Sequence, residues 1–112
     1  MTSDPQVDAP VPAERRQFNR RKFRGTIEIE WGSSILKGLV RDIGPQGLFI
    51  ELTPPLWVGA RFSSRLVVEP PIQLNCTVRR VEPETGFAVT FDPPEESGRA
   101  QLETLLATLP KL

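Results

Sequence analysis

Six basic residues fall within residues 15–24, with no acidic residue among them: Arg15, Arg16, Arg20, Arg21, Lys22 and Arg24. Five of the six are arginine. A guanidinium is a planar fork that meets phosphate or guanine through paired bonds and stacks on rings, whereas a lysine ammonium is a point charge. The run therefore favours an anionic ligand over plain solvation of a charged arm. Arg16 and Arg20 are four residues apart. On an extended chain they share a face about 13 Å apart, at ~3.3 Å per residue. On a helical turn they also share a face but lie closer. Either geometry can clamp a ligand with several acceptors. Phe18, between them, reads as a staple of the arm onto the domain.

A second cluster is Arg41-Asp42-Ile43-Gly44-Pro45-Gln46-Gly47. Asp42 is an acceptor that can take the N1–H and N2–H₂ edge of a guanine. Its plainer reading is a strand-end aspartate bonded to its own turn. Gly44 and Gly47 permit a positive φ or the close approach of a backbone or ligand. Other chemistry lacks its parts. The chain has no histidine and one cysteine, so histidine-based triads, ordinary histidine or cysteine-rich metal sites and an internal disulfide are excluded. With no nucleophile–base pair or metal set visible, an enzyme is not expected and no cofactor is called for.

The rest of the chain has to position these groups. It holds 112 residues, one domain's worth, with 12 prolines, which rules out a bundle of long helices. Residues 1–14, with three prolines and no aromatics, read as a disordered tail, and residues 15–24 as the basic arm. Residues 25–109 read as the folded domain. Alternating apolar residues predict six strands over 26–31, 35–43, 48–52, 62–69, 72–81 and 86–91, separated by Gly, Pro and Ser turns. Closely spaced short strands suit an antiparallel barrel or sandwich, and a barrel is favoured because closure removes exposed edges. After Pro93-Pro94 the spacing of Leu102, Leu105, Leu106 and Leu109 changes to that of an amphipathic helix. Trp31 and Cys76 read as core. No apolar run approaches a membrane span and no secretory leader is visible, which implies a cytoplasmic protein.

Glu14-Arg15-Arg16-Gln17-Phe18-Asn19-Arg20 resembles the opening of PilZ domains, the bacterial cyclic di-GMP receptors, with Arg16 and Arg20 on the two arginines of the RxxxR motif. Asp42 and Gly47 fall on the family's second motif, [D/N]xSxxG, in which Gly44 stands here for the serine. The Leu48-Phe49-Ile50, Arg79-Arg80-Val81-Glu82 and Gly86–Phe91 segments are similar to its later strands. The resemblance covers residues 14–107. It implies an all-β fold, a six-stranded antiparallel β-barrel with a C-terminal α-helix. It also implies cyclic di-GMP as ligand, with Arg15, Arg16, Arg20, Asp42, Gly44 and Gly47 as its contacts. The arm precedes the barrel, so a ligand can order it and present a changed surface to a protein partner.

Three functions follow, in order of preference. The first is a cyclic di-GMP receptor and adaptor. The second is a ligand-free adaptor of the same fold, since one lost hydrogen bond to a charged group costs ~1.5–3 kcal/mol and Gly44 lacks the hydroxyl. The third is a nucleic-acid-binding barrel. It ranks last because the chain has no tyrosine and its phenylalanines mostly sit in apolar alternation, leaving few stacking platforms. In the family, an arginine immediately before RxxxR goes with a stacked pair of ligands. A third guanidinium can neutralise the added phosphates and cap the base stack. Titration should therefore saturate at two cyclic di-GMP per chain in the wild type and one in Arg15→Ala. An equivalence of one ligand in the wild type would reject the stacked pair.

Overall fold

The computed structural model describes residues 20–111. Six strands, β1 (Arg21–Trp31), β2 (Ser34–Ile43), β3 (Gly47–Glu51), β4 (Arg61–Leu66), β5 (Ile72–Glu82) and β6 (Gly86–Phe91), precede one helix, α1 (Glu96–Thr108). The strands close into a barrel in the order β1-β2-β3-β6-β5-β4. Every neighbouring pair is antiparallel, and β4 returns to β1 from Ile27↔Leu66 to Glu30↔Ser63. The expected all-β barrel with a C-terminal helix is the observed fold. Among the described residues, no helix is long and apolar enough to cross a membrane.

Alternation explains the interior. Ile27 and Ile29 of β1, Leu48 and Ile50 of β3, Leu74, Cys76 and Val78 of β5, and Phe87 and Val89 of β6 are buried in one cluster. Period-two spacing sends each set to the same side of its strand. On β4, Ser64 joins Phe62 and Leu66 on the inner face, where its hydroxyl donates to the Leu74 carbonyl at 2.9 Å. That bond removes the cost of an unpaired buried hydroxyl. Helix α1 buries Leu102 and packs Leu105, Leu106 and Leu109 against the same core.

Alternation breaks at three places on the side of the barrel carrying the second cluster. From Val40 to Asp42, β2 advances two residues while β3 advances one, so Arg41 is an extra residue. From Val78 to Arg80, β5 likewise exceeds β6 by Arg79. Between Gly25 and Lys22, β1 advances three residues against two on β2. An extra residue turns the next side chain to the opposite face. Val40 and Ile43 can therefore both point inward although three residues apart, and Asp42 points out.

Several expected boundaries move. The barrel starts at Arg21, four residues before the expected boundary at 25, so the last part of the basic arm is strand. β4 ends at Leu66 rather than running to 69. Trp31 is only partly buried and meets Trp57 edge-on, with centroids 5.2 Å apart and planes at 74°. Trp57 thus packs locally while remaining 63% exposed.

β3 and β6 approach closely because of glycine. A Cβ at Gly86 would lie 1.9 Å from the Ile50 carbonyl oxygen and 2.9 Å from the Glu51 Cα. Both obstacles are backbone, so the strands would have to part. Gly86→Ala should lose about 1–3 kcal/mol, the usual cost of overpacking. Urea unfolding followed by Trp fluorescence measures it, and an unchanged midpoint would contradict the close approach.

Candidate ligand site at the β2–β3 corner

The extra residue Arg41 sets the geometry of this corner. Across the ladder, Lys22, Asp42, Phe49, Ala88 and Arg80 form one cross-strand row through β1, β2, β3, β6 and β5. Its inward neighbours Ile43, Leu48 and Val89 belong to the core, so the row faces outward. Arg41 emerges on the same side. Its guanidinium carbon lies 3.8 Å from the Phe49 ring centroid, close enough for a cation–π contact. Phe49 is fully buried although it points away from the core.

Asp42 is the centre of this arrangement. The residue is 6% exposed. Arg20 Nη2 lies 2.7 Å from its Oδ1, and Arg41 Nε donates to its Oδ2 at 3.4 Å. The Arg20 contact is a close ion pair, yet no N–H is aligned on Oδ1, which is buried without a hydrogen bond. The Arg20 guanidinium compensates the charge of that buried oxygen.

The loop after β2 is held by backbone. The Gly44 N–H donates to the Gly47 carbonyl at 2.8 Å, and the Phe91 N–H donates to the Gln46 carbonyl at 2.9 Å. Gly44 is buried. The positive-φ glycines of the described residues are Gly32 and Gly59, so neither Gly44 nor Gly47 uses the left-handed region. Gly47 serves close approach instead: a Cβ there would lie 2.4 Å from the Val89 carbonyl oxygen. Its role in this structure is to let β3 meet β6.

The structure thus brings Arg20 to Asp42, with Gly44 and Gly47 in the turn that follows Asp42. Arg15, Arg16 and Phe18 lie outside the described residues. The start of β1 has a further partner, because the Lys22 N–H donates to the Pro110 carbonyl at 2.9 Å and Arg21 bridges Lys111. The segment after α1 is therefore laid along the residues that follow Arg20.

Sequence patterning assigns Arg41 no task and marks Phe49, Arg80 and Glu82 only as members of later strands. Arg80 donates to Glu82 at 2.8 Å, and Glu82 lies 3.7 Å from Arg41. The signal was the odd spacing of the apolar residues Val40 and Ile43, and of Val78 and Val81. Each marks an extra residue and so a change of face. Cys76 offers no competing chemistry. Burial pushes its thiol up to about 11, so it is protonated at neutral pH.

The Arg20–Asp42 pair is well shielded, with side chains 19% and 9% exposed. The Arg24–Glu51 pair is looser, at 3.6 Å and 56% and 29% exposed. Arg20→Ala should cost about 1–3 kcal/mol, because it strips a buried carboxylate of its nearest cation. Arg24→Ala should stay within about 0.5 kcal/mol. Equal losses in urea unfolding would show that the Asp42 pair has no special weight.

Comparison with known proteins places this corner in a wider context. No curated protein sequence matches the chain. Among solved structures, the Bacillus subtilis inhibitor of motility MotI/DgrA is similar, with a TM-score of 0.67 at 17% identity. The match covers 83% of this chain and 49% of that one, so the chain spans about half its length. At that identity the likeness is one of fold. The sequence profile of the PilZ domain matches residues 14–108, a span that includes both the basic arm and the Asp42 corner. The chain belongs to the PilZ domain family.

Proposed function

We propose that this chain is a cyclic di-GMP receptor that orders its arginine-rich arm on binding and signals through a protein partner. The observation that carries the reading is the Asp42 carboxylate. It is buried, and two guanidiniums hold it, Arg20 at 2.7 Å and Arg41 at 3.4 Å. A guanine edge supplies two parallel N–H donors to such a carboxylate. An arginine fork supplies the complement, meeting guanine O6 and N7 or a phosphate. Arg16 and Arg15 extend the same basic run and would add charge from the arm side. Gly44 would let the ligand approach the loop backbone, and Gly47 would hold that loop against β6.

The second reading, a ligand-free adaptor, is favoured by one observation: Gly44 brings no hydroxyl where the family motif has serine. The two readings separate in a calorimetric titration of the full chain with cyclic di-GMP. The receptor should bind in the micromolar range. Arg16→Ala and Arg20→Ala should each weaken binding from several-fold to orders of magnitude, while Arg99→Ala on α1 should leave it unchanged. Gly44→Ser should tighten it, since the backbone there is outside the left-handed region that would strain serine. Absence of both heat and amide shifts at high ligand concentration would reject the receptor and leave the adaptor.

A further inference from the structure

The outward row does not stop at Phe49. It continues through the small Ala88 to Arg80, and Glu82, the last residue of β5, lies just beyond. One carboxylate there serves two guanidiniums. Its Oε2 accepts from Arg80 Nη1 at 2.8 Å, and its Oε1 lies 3.7 Å from Arg41 Nη1. The hydrogen bond from Arg80, with the positive charge of Arg41, holds the Glu82 carboxyl below the ordinary range. Glu82 is therefore ionised at neutral pH.

Arg41 and Arg80 otherwise have what an incoming phosphate requires. Their side chains are 39% and 57% exposed. Arg41 lies over Phe49 in the middle of the row, and Ala88 leaves little side chain between Phe49 and Arg80. Each guanidinium has more donors than Glu82 uses. What limits them toward a second anion is charge: Arg80 is paired with Glu82, and Arg41 with Glu82 and, through its Nε, with Asp42.

We infer that Glu82 is a built-in competing anion, which occupies Arg41 and Arg80 in the free chain and caps the affinity of this face for a phosphodiester. The identity of the ligand rests on the receptor reading above; the anion competition does not. Exposed ion pairs are individually weak, so releasing two of them corresponds to about two- to ten-fold in affinity. The pairs also make the site sensitive to salt, since added ions screen exposed charges.

The test is a near-isosteric change, Glu82→Gln, in the full chain, with an unchanged amide spectrum as the check on folding. Two probes are titrated: cyclic di-GMP, and inorganic pyrophosphate, which carries the charge without the bases. Glu82→Gln should bind both about two- to ten-fold more tightly than the wild type. The gain should vanish in Glu82→Gln combined with Arg41→Ala. Unchanged or weaker binding of both probes by Glu82→Gln would overturn the inference even if the wild type binds cyclic di-GMP. Tighter pyrophosphate binding with no response to cyclic di-GMP would support the competing anion and reject the receptor. Silence from both probes in both proteins would overturn the two together.

Discussion

Across a single step of the ladder, β2 carries one residue more than β3, and that residue is Arg41. The closed barrel requires Val40 and Ile43 to face inward, and both are fully buried. A regular strand cannot place two residues three apart on one face. The bulge resolves the conflict and turns Asp42 outward beside Arg41. Everything at the corner follows from that displacement. The carboxylate meets Arg20, the guanidinium of Arg41 lies on Phe49, and Glu82 closes the arrangement from β5. Without the bulge, regular alternation from Val40 through Arg41 would turn Asp42 into the core and Ile43 out of it, and an ionised carboxylate there is far too costly.

Much of the scaffold was legible because barrel strands bury one face and alternate. Ile27 and Ile29, Leu74 and Cys76, and Phe87 and Val89 announced their strands by spacing alone, and Gly86–Phe91 was placed to the residue. The helix was equally plain from Leu102, Leu105, Leu106 and Leu109. The boundary at β1 was not. Arg21, Lys22 and Arg24 are too polar to signal a strand, yet β2 pairs with Arg21 and Lys22. Lys22 and Arg24 are tolerated there because their side chains are exposed on a closed sheet, where pairing satisfies the backbone and solvent serves the side chains.

The candidate site was legible in its types and not in its relations. Arg20 and Asp42 stood out as a guanidinium and a carboxylate, but their contact joins residues 22 positions apart through a bulged register. Phe49 illustrates the limit further. Alternation put it on the outer face, where a phenylalanine should be exposed, yet it is fully buried. Its cover includes a cation, an interaction that apolar periodicity does not register. Gly47 illustrates the reverse: its place in a ligand motif was visible, while its demand, the 2.4 Å approach of the Val89 carbonyl to a would-be Cβ, belongs to packing.

The hydrogen bond from Lys22 to Pro110 ties these levels together. Lys22 is both the residue paired with Asp42 across β1–β2 and the residue to which the chain after α1 is fastened. Leu109, one position earlier, packs against the core. A change in the backbone at Arg20–Lys22 therefore acts on two things at once, the Asp42 corner and the end of the helix. The coupling runs through two consecutive peptide groups, Leu109 and Pro110, rather than through a long path.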